Sequence, residues 1–207
     1  MKKIIAILLL VCCVAAMSSC SIINKVLGKD DGEGNGNNAP TGFAAFTSAI
    51  SATNASNVQV TSTTETSLGK LTTTLSAAFK NDGSAVINYS YERFNEIGEG
   101  AADEIKSTVT GTITRAADGT YSGDMIDGID LSAVAAGPAL NISSLESVAT
   151  INEGGDVLTA TVAAASSEAV FGSAFSKDVA LEITIKDGAV KYIDIEFENG
   201  SVSFIYG

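Results

Sequence analysis

The chain has 207 residues, with 24 acidic and 12 basic side chains, a net charge of −12 at neutral pH, and neither histidine nor tryptophan. So acidic a surface repels phosphate backbones and anionic headgroups, which excludes nucleic-acid recognition and adhesion through a basic patch. Without imidazole there can be no Ser-His-Asp triad, Cys-His dyad or histidine metal site, so no enzyme, cofactor or metal is expected.

Lys2 and Lys3 precede an apolar run from Ile4 to Ala16. A spanning helix takes about 20 residues, so this run is too short to cross a bilayer. A basic start, a short apolar stretch and the small residues Ser18 and Ser19 follow the order of a secretory signal peptide. Cys20 comes next, and Met17-Ser18-Ser19-Cys20 resembles the lipobox of bacterial lipoproteins, with Met where Leu is more usual. That resemblance implies removal of residues 1–19, a diacylglycerol on the Cys20 thiol and an acyl group such as palmitate on the new amino terminus. Each buried methylene contributes about 0.8 kcal/mol and stable anchoring takes two chains. The membrane partner would then be the cell membrane or outer membrane, with the domain on the extracytoplasmic side. An ordinary secretory signal cut nearby would leave Cys20 unmodified.

The other cysteines, Cys12 and Cys13, would leave with the signal, so no intrachain disulfide is available. A mature chain of about 170 residues is large enough to rely on its core alone. Residues 20–40 are rich in Gly, Asn and Asp and offer little apolar surface to offset ordering. They read as a flexible tether, with a reach of roughly 25 Å for about 20 residues.

A single β-rich domain is expected over residues 41–207. Phe43, Phe46 and Ile50 fall on one stripe of an Ala-rich stretch, which predicts a helix of about three turns. From Asn57 the period becomes two. Leu71, Thr73, Leu75, Ala77 and Phe79 share a face, as do Ile87, Tyr89 and Tyr91; Leu181, Ile183 and Ile185; Ile193, Ile195 and Phe197; and Val202, Phe204 and Tyr206. The turns "NDG" at 81–83, "ADG" at 117–119, "KDG" at 186–188 and "ENG" at 198–200 place Gly or Asx where hairpins call for positive φ. "NEGGD" at 152–156 is a further turn. Two Ala-rich stretches, about 130–141 and 163–175, break the alternation and read as short helices.

Roughly eight to ten strands with so little helical cover can hide one apolar face only by curling. The expected fold is α+β, a strongly curved antiparallel half-barrel wrapped around the first helix and one or two short inserted helices. Thr108, Thr110, Thr112 and Thr114 would lie on its solvated convex side. The order of elements, together with "LTATV", "AVFG" and "VALEITIKDGAVKYIDIEF" at 158–162, 169–172 and 179–197, resembles the lipoprotein-carrier fold shared by LolA, LolB and the mycobacterial lipoproteins LprG and LppX. The resemblance implies a lipid or other apolar ligand in the hollow between sheet and helices. The candidate wall residues are Phe43, Phe46, Phe79, Tyr89, Tyr91, Phe171 and Phe175. The same aromatics are equally able to fill a core, in which case the domain is a non-catalytic structural or interaction protein of the cell envelope.

Carboxylates are the only catalytic material left. Glu96, Glu99, Asp103 and Glu104 cluster in one stretch, and Asp124, Asp127 and Asp130 recur every third residue. A carboxylate pair can hydrolyse glycosides, but a chain without Trp lacks the usual sugar platforms. Both clusters read as solvated loops or helix starts.

Overall fold

The computed structural model describes residues 42–53, 56–66, 69–95, 104–127, 129–138 and 140–207. The signal segment, Cys20, the tether, and Glu96, Glu99 and Asp103 lie outside these residues.

Helix α1 (Phe43–Ala52) is followed by β1 (Asn57–Thr66), β2 (Gly69–Phe79), β3 (Ala85–Asn95), β4 (Glu104–Arg115) and the short β5 (Tyr121–Gly123). Helix α2 (Ser132–Ala136) and a 3₁₀ turn (Ile142–Ser144) lead to β6 (Ala149–Ile151) and β7 (Val157–Val162). A second 3₁₀ turn (Ala164–Ser166) runs into α3 (Ser167–Phe171), and β8 (Val179–Lys186), β9 (Ala189–Phe197) and β10 (Gly200–Tyr206) close the chain.

All ten strands form one open antiparallel sheet in the order β5-β4-β3-β2-β1-β10-β9-β8-β7-β6. It is the curved α+β architecture expected from the strand pattern. Every spatial neighbour is a sequence neighbour except β1 and β10, whose pairing, Val58 opposite Tyr206 through Thr64 opposite Gly200, joins two meanders. The link from β5 to β6 must therefore travel from one edge of the sheet to the other. It does so across the apolar face, burying Leu131, Val134, Ile142 and Leu145. This crossing segment supplies much of the cover that α1 is too short to provide.

Alternation divides the strands as the pattern requires. Val58, Val60, Leu75, Ala77, Ile87, Tyr89 and Ile113 are buried on the inner face, as are Leu181, Ile183, Ile193, Val202 and Phe204. Thr108, Thr110, Thr112 and Thr114 are exposed on the other face. There the hydroxyls of Thr63 and Thr72 lie 3.3 Å apart, and the Thr112 hydroxyl donates to Asn88 Oδ1 at 2.9 Å. Such cross-strand pairs contribute about 0.2–1 kcal/mol each.

Three of the four hairpin turns have the expected backbone. Gly83, Gly119 and Gly188 sit at φ of 80°, 88° and 73°, and Asp187 at 54°. The turn at 198–200 does not: none of its residues has positive φ. Gly200 answers a different constraint, because a Cβ there would lie 2.0 Å from the carbonyl oxygen of Thr63 on β1. The close approach of β1 to β10 requires glycine, rather than the turn.

Candidate ligand-binding cleft

At one end of the inner face the cover is incomplete. A cleft of about 570 Å³ opens between α1, the β2–β3 turn, α2 and the ends of the two central strands. Ile50 and Thr53 from the C-terminal end of α1 form one wall, and Val58, Phe79 and Ile193 from the sheet form the floor. Val134, Ala135, Pro138 and Leu140, from α2 and the residues after it, form the opposite wall. Lys80 and Asn81 stand in the β2–β3 turn, and Tyr206 enters from the end of β10.

Local chemistry positions each wall. Thr53 follows the last turn of α1, where carbonyls lack helical partners. Its hydroxyl donates to the Ala49 carbonyl at 2.7 Å and accepts the Val190 N–H at 3.2 Å, tying the helix end to β9. The start of α2 is held by Asp130, whose Oδ1 accepts the Ser132 N–H at 2.9 Å as well as the Ser132 hydroxyl. This short helix ends at Gly137, where φ is 69°. A Cβ at Gly137 would come within 3.2 Å of the Tyr206 hydroxyl, so glycine there makes room for the phenol.

Two polar groups face the cleft. Tyr206 is half-buried, and desolvation pushes its pKa up to about 12, so the phenol stays a neutral hydrogen-bond donor. Lys80 is the one charged side chain among the lining residues. Its backbone closes the turn, the N–H donating to the Ser84 carbonyl at 2.8 Å and the carbonyl accepting from Gly83 at 2.9 Å. Asp82 in the same turn is occupied by Ser84, whose hydroxyl and N–H reach its Oδ1 at 2.7 and 2.9 Å. Those bonds hold the Asp82 carboxyl below the usual carboxylate range. Among the described residues the side chains in ion pairs are Lys177 and Glu198, at 2.7 Å; Lys80 makes no such contact, but its charge is felt by Asp82, whose pKa it helps to lower.

The seven aromatics named from sequence are distributed over three places. Phe79 lines the cleft. Phe46 and Tyr89 are core residues, at 0 % and 5 % exposure, with Phe43 packed at the core's margin and Tyr91 half-buried on β3. Phe171 is a further core residue and stacks edge-to-face with Phe175 at 5.7 Å, with Phe175 in turn 5.5 Å from Phe197 at the core's margin. That group is braced by the fully buried Ser167, which donates to the Ala164 carbonyl and accepts the Phe175 N–H, both at 2.8 Å. Phe79 is the one cleft residue that sequence reasoning selected as wall; Val58, Val134, Leu140, Lys80 and Tyr206 are among those it did not. Ile50 was visible on the helical stripe, and Tyr206 on the alternation of β10.

Two of the three aspartates of the 124–130 stretch, Asp124 and Asp130, serve the backbone. Asp124 exchanges hydrogen bonds with Thr112, its Oδ2 accepting the Thr112 N–H at 3.1 Å, and Asp130 opens α2. No group of three or more His, Cys, Asp or Glu among the described residues is arranged to hold a metal. A second depression of about 400 Å³ lies on the outer face between Thr159, Glu182, Asp194 and Glu196, open and acidic.

No protein-family model matches the chain, and none of the curated proteins does. Among solved structures it is similar to the crystal structure of LprF from Mycobacterium bovis, over 80 % of this chain and 90 % of that one, with 13 % sequence identity and a TM-score of 0.32. No helix among the described residues is long and apolar enough to cross a membrane.

Proposed function

We propose that the protein is a lipid-anchored binding module of the cell envelope, which holds an apolar or amphipathic ligand in the cleft between α1, α2 and the sheet. The observation that supports this reading is the cleft itself. Its volume of about 570 Å³ lies within the roughly 300–1,000 Å³ range of ligand pockets. Its walls include Ile50, Phe79 and Leu140, half-buried apolar groups that normally close on one another when no ligand is to be admitted. Binding in it requires no catalytic group. The anchor is Cys20, acylated after removal of residues 1–19, and residues 20–40 are the tether that lifts the domain from the surface.

Lipid extraction of the purified protein followed by mass spectrometry tests the carrier reading: a non-covalent lipid at near-stoichiometric yield supports it. Its absence favours the second reading, a structural or interaction module. That alternative draws on the closed packing of Phe46, Ile87, Ile113 and Leu145 and on the acidic outer face around Glu182, Asp194 and Glu196. The anchor is tested separately. Cys20→Ala is expected to abolish palmitate incorporation, and unchanged labelling would refute the assignment.

A further inference from the structure

We infer that the cleft selects amphiphiles with an anionic head group, a carboxylate or phosphate, and that Lys80 is the residue that reads it; this rests on the cleft being a ligand site. The chain carries 24 acidic residues and a net charge of −12, so an anion approaching most of its surface is repelled. Among the described residues no acidic side chain lines the cleft, while one basic side chain, Lys80, does. The lining itself therefore carries a positive charge on a molecule that is acidic as a whole, with Asp82 of the same turn offsetting part of it.

The position of Lys80 suits this task. It directly follows Phe79, the aromatic on the cleft floor, so the apolar wall passes into a cation within one residue. A lysine stem can lie along apolar surface while its ammonium stays in water. Asp82 in the same turn attracts Lys80 through its charge but makes no salt bridge with it, its Oδ1 accepting both the hydroxyl and the N–H of Ser84. The Tyr206 phenol supplies a second donor to the same cleft. A tail packed against Ile50, Phe79 and Leu140 with a negative head at Lys80 satisfies both kinds of surface. A neutral ligand of equal length would gain nothing from the ammonium, which would stay hydrated.

The test uses the purified full-length chain and calorimetric titration with three probes: dodecanoate, the uncharged monododecanoyl glycerol, and inorganic phosphate alone. Dodecanoate is expected to bind about threefold more tightly than the glyceride, the scale of an exposed ion pair, and this preference should shrink as salt is added. Lys80→Gln, at an exposed position, should remove most of the preference, weakening dodecanoate binding more than glyceride binding. Equal binding of the two amphiphiles, with Lys80→Gln inert, would overturn the anionic selection and leave the apolar cleft standing. Phosphate binding as tightly as dodecanoate would show a free-anion site in place of an amphiphile site. Failure of both amphiphiles to bind would overturn the cleft reading itself.

Discussion

The hydroxyl of Thr53 bridges two elements that are 137 residues apart in sequence, accepting the Val190 N–H of β9 at 3.2 Å while donating to the Ala49 carbonyl of α1 at 2.7 Å. One oxygen thereby satisfies an end-of-helix carbonyl and a strand N–H, and it sets the angle at which α1 meets the sheet. Because Thr53, Ile50 and Val190 all line the cleft, the bridge also fixes one of its walls. Thr53→Ala is expected to destabilise the fold by about 1–3 kcal/mol, the usual consequence of leaving a buried partner unsatisfied. Thr53→Ser should retain most of that stability. Urea denaturation of both variants checks the difference, and equal stability of the two would show that the hydroxyl contributes nothing.

Tyr89 on β3 lies directly opposite Gly111 on β4 and covers it. A Cβ at Gly111 would sit 2.5 Å from the Tyr89 hydroxyl oxygen and 2.6 Å from the ring carbon that bears it. Gly111→Ala is therefore predicted to cost about 1–3 kcal/mol by overpacking. In a Tyr89→Leu background the same change should cost less, a coupling that a double-mutant cycle resolves. Additive effects would contradict the packing described.

The phenol of Tyr206 gives a pH signature. Its folded pKa is raised by burial to about 12 from an ordinary value of 10.0. A raised pKa means that this contribution is complete below pH 10 and is lost as pH climbs toward 12, because the unfolded chain releases the proton first. The loss is about 1.4 kcal/mol per pH unit in that window. Tyr206→Phe should flatten this part of the alkaline stability curve, measured as the difference from the parent chain.

At the acid end the sign reverses. Asp82 is held below its ordinary pKa of 3.8 by hydrogen bonds from Ser84, and Asp118 by those from Thr120. Lowered values contribute stability that is present above about pH 4 and fades as pH falls through the folded pKa. Asp118→Asn and Asp82→Asn should reduce the acid dependence of the melting temperature while leaving its alkaline limb unchanged.

The sheet was largely legible because alternation is a local signal. Ile193, Ile195 and Val202 with Phe204 announce their faces within a few residues, and the Ala-rich breaks at 130–141 and 163–175 mark where the helices α2 and α3 occur. The cleft was not legible to the same degree. Phe46 and Phe79 carry the same inward signal, yet one is sealed in the core and the other lines an opening. What separates them is how far a five-residue helix, Ser132–Ala136, reaches across the sheet before Gly137 and Pro138 end it. That extent depends on the crossing from β5 to β6, a relationship between distant segments that no sequence period encodes. The glycine at 200 shows the same limit, since its reason lies on β1 and not in its own turn.

The central claim, that the cleft is a ligand site, is tested most directly by filling it. Ala135 lines the cleft and is exposed, so Ala135→Trp can occupy the space without displacing core side chains. The account predicts saturable binding of a fluorescent acyl-chain probe by the parent chain and at least a tenfold loss in the Ala135→Trp variant, with an unchanged melting temperature. Equal binding by the two, or no saturable binding by the parent, would contradict it.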